Sequence, residues 1–213
     1  MNDASNDIPP EMPRIDYPAP DPARPYVYPG TPVLINLFDI TSGSALGRVV
    51  NTVTSLRGEQ LKAQSLPGEF DLAQLCALHH ALYQDIFAWA GQVRTVDTER
   101  DDQVFSPAAD IPAELQRIHD ELKGENFLRG LGPEAFADRL ADYYYRIYAV
   151  HPFRDGNSRV LRQFCAALAA AAGYRLDFAV IDRTALLAAC RHRYFREDGG
   201  PLRDCLRQIT FAV

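Results

Sequence analysis

Residues 151–162 read His-Pro-Phe-Arg-Asp-Gly-Asn-Ser-Arg-Val-Leu-Arg, and no other stretch of the chain gathers so many chemically specialised side chains. Pro152 disfavours helical backbone at His151. The Gly-Asn-Ser turn leads into the apolar run from Phe164 to Ala172, so it is expected to open a helix. Free N–H groups at a helix start, flanked by Arg159 and Arg162, favour phosphate. Asp155 is placed to hold a divalent cation on those phosphates, and His151 to take a proton from an attacking hydroxyl. Singly, each has a plainer reading. Asp155 could cap the following helix, the arginines could be solvated helix charges, and a histidine before a proline is usually a turn residue. Together they point to phosphoryl or nucleotidyl transfer.

The elements that must position this stretch read as helices. Val49, Val50, Val53, Leu56 and Leu61 fall near helical spacing from about Ala45, ending before Pro67. Asp71 is expected to cap a helix whose apolar face is Leu72, Leu75, Cys76, His79, Leu82 and Ile86, ended by Trp89-Ala90-Gly91. The helical period then lapses over residues 88–110. There Val93–Thr98 and Gln103–Ser106 are read as two short strands around a turn at Glu99-Arg100-Asp101-Asp102. Pro112, Pro133 and Pro201 open later helices, Asp182 caps another, and Gly173 stops the helix that begins at Asn157 or Ser158. The fold class is all-α, with about seven helices and one irregular excursion.

Composition narrows the function classes. Of the 213 residues, 47% are hydrophobic and 23% charged, as in an ordinary globular protein with one sizeable core. A net charge of −6 argues against a nucleic-acid binder. No apolar run reaches the roughly 18 residues of a membrane span, and Asp3, Asp7 and Glu11 stand where a secretion signal would be basic and apolar. Cys76, Cys165, Cys190 and Cys205 are widely spaced in apolar helical patterns, so they are expected to be reduced core thiols of a cytoplasmic protein. Nine of the fifteen prolines fall within the first 32 residues. Residues 1–24 are therefore read as an extended or disordered lead-in, Tyr26–Thr31 as a segment docked on the body, and 25–213 as a single domain. His79-His80 lacks a convergent acid or cysteine and is read as structural. Tyr143-Tyr144-Tyr145 is read as core and groove wall, with hydroxyls that could accept self-modification.

The stretch from His151 to Arg162 resembles the signature HPFx[D/E]GNGRxxR of Fic domain proteins, departing from it at Ser158. Tyr28-Pro29-Gly30-Thr31, Leu78-His79 through Trp89-Ala90-Gly91, Arg94-Thr95, Phe105-Ser106-Pro107 and Glu125–Leu131 extend the resemblance over residues 26–210. It implies the Fic fold, with a β-hairpin flap over the active site, and transfer of AMP from ATP to a Ser, Thr or Tyr hydroxyl of a target protein. In that scheme His151 is the general base, Asp155 binds Mg²⁺, and Gly156, Asn157 and Ser158 form an anion nest. Arg159 and Arg162 clamp phosphates. The flap residues Gln103, Val104, Phe105 and Ser106 register the target backbone by strand-like pairing. Phe153 is expected to anchor the loop in the core.

Ser158 is the open point. Glycine there lets backbone lie close to phosphates and tolerates unusual φ, so serine either donates to a phosphate oxygen or weakens and re-poses the nucleotide. The alternatives are transfer of another group, such as phosphate in Doc-like members, or a catalytically impaired nucleotide-binding module. Doc-like members also replace the glycine that is retained here as Gly156. Many members carry an inhibitory [S/T]xxxE[G/N] helix. Ser55 to Glu59, Thr95 to Glu99 and Ser65 to Glu69 have its spacing but continue with Gln60, Arg100 and Phe70. Inhibition is therefore expected from a separate small antitoxin that brings a glutamate to Arg162. The chain's stand-alone length suits such a partner, and DNA gyrase and topoisomerase IV are targets of similar stand-alone toxins.

Overall fold

The computed structural model describes residues 24–62 and 68–213; most of the proline-rich lead-in and the stretch just before Gly68 lie outside the described residues. Seven α-helices carry the described fold: α1 (Gly43–Lys62), α2 (Leu72–Tyr83), α3 (Ile111–Gly124), α4 (Pro133–Val150), α5 (Asn157–Ala171), α6 (Arg183–Arg196) and α7 (Gly200–Ile209). Two small antiparallel ladders accompany them. One is the hairpin of β1 (Glu99–Arg100) and β2 (Gln103–Val104); the other pairs β3 (Tyr174–Leu176) with the C-terminal β4 (Thr210–Ala212).

The site is carried by α4 and α5, which pack against each other at the centre. α4 also contacts α3 and α7, and α5 contacts α2 and β3. Pro133 starts α4, where its missing N–H costs nothing. Phe136, Leu140, Tyr143, Tyr144 and Ile147 recur at helical spacing and are buried. Pro152 ends the helix: His151 leaves the right-handed region for φ 51, ψ 60 while its N–H still bonds to the Ile147 carbonyl. α5 buries Val160, Leu161, Phe164, Cys165 and Leu168, and each large side chain so buried contributes about 1.5–3 kcal/mol. It stops at Gly173, whose φ of +88 only glycine adopts freely.

Several expectations hold at atomic detail. Asp71 and Asp182 accept from the Gln74 and Thr184 N–H groups, as N-caps do. Tyr26 docks through its hydroxyl to Thr95, and Tyr28 is buried. The four cysteines are free thiols, of which Cys165 and Cys190 lie in the core as expected, whereas Cys76 and Cys205 are only half-buried.

Others need correction. α2 ends at Tyr83, not near Trp89, because the chain turns under Ile86, whose carbonyl accepts from Leu37 N–H. Val93–Thr98 forms no strand; the hairpin closes around Asp101-Asp102, both at positive φ as a tight two-residue turn demands. Leu56, expected on the apolar face of α1, is exposed, and Leu46 takes its place in the core. β3 and β4 were not expected at all.

Candidate active site

Gly156 sits at the N-cap of α5 with φ +85, and no side chain caps this helix. Asp155 is therefore not a capping residue. The N–H groups of Gly156, Asn157 and Ser158 have no acceptor among the described residues and open on a cavity lined by Arg100, His151, Asp155, Asn157, Ser158 and Arg159. An uncapped helix start beside arginines is an anion seat. A Cβ on Gly156 would stand 2.5 Å from the Tyr83 ring, so glycine is required for contact as well as for φ. Ser158, by contrast, lies inside α5 with no positive φ. Its backbone is what any helical residue adopts, so the strain that serine would suffer at a glycine conformation does not arise.

The Asn157 side chain is turned inward, Oδ1 accepting from Phe153 N–H at 2.9 Å and Nδ2 donating to the Phe153 carbonyl at 2.7 Å. Only its backbone can serve an anion. Phe153 is fully buried, as an anchor should be. Arg159 donates to the Tyr83 hydroxyl at 3.3 Å and to the Asn51 carboxamide on α1. A cavity of about 780 Å³ runs between α1 and α5, lined by Asn51, Ser55, Glu59, Arg159, Arg162 and Phe178 among others. The Ser55–Glu59 pair thus shares a cavity wall with both motif arginines.

His151 is buried against the flap. Its ring stacks on Phe105 with centroids 3.8 Å apart and planes 16° from parallel. Burial is the main force holding its pKa down to about 3, helped by the cations Arg100, Arg94 and Arg154, with the Tyr148 carbonyl working against the fall. The imidazole is neutral at physiological pH. Nδ1 is shut off from solvent without a hydrogen-bond partner among the described residues, so exchange with a substrate runs through Nε2.

The flap residues divide. Gln103 is buried and accepts from the Tyr148 hydroxyl at 2.8 Å. Phe105 covers His151, and Ser106 Oγ donates to Glu114 at 2.6 Å. Val104 alone projects to solvent, and its N–H donates to the Tyr194 hydroxyl of α6 at 3.3 Å. The side chains of three of these four residues fix the flap to the body, whereas the expected pairing with a target concerns their backbone.

Three positions have roles in the site that the sequence does not assign. Arg94 is fully buried; Nε donates to the His151 carbonyl at 2.8 Å, Nη1 to Val96 at 2.7 Å, and Nη2 to Val150 at 3.2 Å and to Ser106. It ties the flap to the backbone of the base, and nothing in its sequence surroundings says that it goes inside. Tyr83 was legible in principle, since it follows His79 by one helical turn. Asn51 carried no signal. His79 is buried and neutral, with burial driving its pKa down to about 4 against the pull of the Asp155 carbonyl.

For Mg²⁺ the donor set fits a shared site, not a protein cage. Among the described residues no cluster of three or more His, Cys, Asp or Glu could hold a metal. Asp155 lines the anion cavity and forms no ion pair among the described residues. One carboxylate completed by phosphate oxygens and waters is how Mg²⁺ is commonly held.

A family model described as the Fic/DOC family matches residues 69–169. The probable protein adenylyltransferase Fic of Salmonella typhimurium is 40% identical over 154 residues, covering 72% of this chain and 76% of that protein. Protein adenylyltransferase VbhT of Bartonella schoenbuchensis is 35% identical over 171 residues, 80% of this chain; the match spans 36% of VbhT. Among solved structures, BepC of Bartonella tribocorum with bound AMPPNP superposes with a TM-score of 0.85 at 28% identity, covering 88% of this chain and 97% of that one.

Proposed function

Because the chain belongs to the Fic/DOC family, we propose that it is a protein adenylyltransferase, moving AMP from ATP to a Ser, Thr or Tyr hydroxyl of a target protein. The observation that carries this is the uncapped, glycine-turned start of α5, whose cavity is lined by Arg159 and by a buried neutral histidine, with Arg162 lining the neighbouring cavity between α1 and α5. The attacking hydroxyl oxygen bonds to the α-phosphorus, the bond to the β-phosphate oxygen breaks, and pyrophosphate leaves. The hydroxyl proton passes to His151 Nε2, which requires the ring proton on Nδ1. A base with a pKa near 3 is weak. The incoming triphosphate offsets Arg94, Arg100 and Arg154, and that raises the basicity of the ring when it is needed. The N–H groups of residues 156–158 face the phosphate charge, and Arg159 and Arg162 hold the remaining oxygens. Asp155 would hold Mg²⁺, which when bound neutralises part of the phosphate charge.

Helical backbone at Ser158 and retention of Gly156 support AMP transfer over an impaired or Doc-like site. The target pairs with the flap edge around Val104, and gyrase or topoisomerase IV remains the analogy for its identity. A small antitoxin presenting a glutamate to Arg162 is the proposed restraint, and the cavity between α1 and α5 has room for such an element. Four free thiols support a reducing, cytoplasmic setting, and among the described residues no helix is long and apolar enough to cross a membrane. Incubation with ATP labelled at the α- or the γ-phosphate, beside His151→Ala, tests the reading. Label from the α-position only, lost in the variant, is expected; γ-only label excludes adenylylation.

A further inference from the structure

His79 lies on α2, outside the motif, yet it touches the turn that makes the anion seat. Nδ1 accepts from Gly91 N–H at 2.8 Å, and a backbone amide can only donate. The single proton of the neutral ring is therefore on Nε2, which stands 3.1 Å from the Asp155 carbonyl oxygen, a group that can only accept. The two contacts agree on one tautomer. Phe153 and Tyr83 clamp the ring, with centroids 4.1 and 4.8 Å away. Peptide bonds here are trans, so the N–H of Gly156 points opposite to the Asp155 carbonyl. With the carbonyl drawn down to His79, that N–H is turned away from the core and toward the cavity shared by His151, Asp155 and Arg159.

We propose that His79 is a positioning residue of the nucleotide site: its Nε2–H holds the Asp155–Gly156 peptide in the orientation that presents Gly156 N–H to phosphate. This rests on the reading of that cavity as the nucleotide site. A turn next to glycine has a second accessible state in which the peptide is rotated. Rotation would put the carbonyl oxygen where the anion sits and replace an attractive dipole with a repulsive one. His79 removes that state without touching the nucleotide.

Two substitutions separate the bonds in the full chain. His79→Gln keeps an N–H donor near the position of Nε2 but offers no acceptor placed for Gly91. His79→Asn keeps an acceptor near the position of Nδ1 but cannot reach Asp155. Both lose the ring stack, so their melting temperatures are expected to fall by similar amounts. Calorimetry with Mg-AMPPNP, with KM for ATP and kcat alongside, is expected to show the Asn variant weakened about tenfold or more and the Gln variant within about threefold, the loss lying in KM more than kcat. Equal weakening of the two in step with stability, or an Asn variant that binds like wild type, overturns the proposal. A wild type that binds no nucleotide overturns the proposed function and this proposal together. In wild type alone, titration with pyrophosphate is expected to move the Gly156 amide resonance among the most; an unmoved resonance also overturns it.

Discussion

Gly156→Ala can be weighed against a built-in control. Gly156 and Gly173 have nearly the same backbone, φ +85 and +88, but a Cβ on Gly173 meets nothing within 4 Å, whereas on Gly156 it stands 2.5–2.7 Å from three atoms of Tyr83. Gly173→Ala therefore measures the left-handed conformation alone. That costs about 1–2 kcal/mol and is partly offset by about 0.4–1 kcal/mol through the stiffer unfolded chain. Gly156→Ala adds overpacking of about 1–3 kcal/mol. Tyr83 is fully buried beside His79 and Phe87 and cannot swing away, and moving it disturbs the bond from Arg159, worth about another 1 kcal/mol. At about 2–4 °C per kcal/mol for a chain of this size, Gly173→Ala should lower Tm by a few degrees and Gly156→Ala by about 5–15 °C. Differential scanning calorimetry measures both, and Mg-AMPPNP titration should show binding lost only in Gly156→Ala. Two variants that melt within about 0.5 kcal/mol of each other, both binding nucleotide, would refute the claim that Tyr83 closes the floor of the anion seat.

Other outcomes follow from the same geometry. Arg94→Met strips donors from the carbonyls of Val96, Ser106, Val150 and His151; a loss of about 2–4 kcal/mol is expected, with KM for the target protein rising more than KM for ATP, and a Tm change below about 2 °C would count against it. His151 has a folded pKa of about 3, below its ordinary 6.5, so the unfolded chain binds the extra proton in that window. Its contribution is complete above pH 6.5 and falls away as pH drops toward 3, by up to about 1.4 kcal/mol per pH unit; denaturant titration at pH 7 and pH 4.5 should show a shallower loss in His151→Asn. Ser158→Gly should leave AMP transfer within a few fold and lower Tm by a degree or two, since glycine in a helix costs about 0.5 kcal/mol relative to serine; a gain of activity from nothing would show that serine had blocked the site.

The helical scaffold was legible because its signals are local. The prolines at 112, 133 and 201, the caps at Asp71 and Asp182, and the glycine stop at 173 each act within one turn. The motif was legible because its chemistry lies within twelve residues. What stayed hidden depends on distant partners. β3 and β4 meet across more than thirty residues of chain, and at three residues each they are too short for a period to register. Arg94 enters the core because four carbonyls converge there, two from the segment around the flap and two from the end of α4, and they meet only in the folded chain. Leu56 obeys the helical period yet faces the cavity beside Arg159 and Arg162, where apolar packing is not what α1 is shaped for. At Ser158 a dihedral answers one half of what the motif raises: the left-handed residue is Gly156, two positions earlier, so no glycine conformation is needed at 158, and the added hydroxymethyl group is what Ser158→Gly tests.

The central claim is that the α5 start and His151 transfer AMP to protein hydroxyls. Mass spectrometry of proteins modified in a lysate by wild type and by His151→Ala reads both the added group and its position. An added mass of one AMP on a Ser, Thr or Tyr, absent with the variant, is the predicted result. Added phosphate alone, or AMP that persists without His151, would contradict the account.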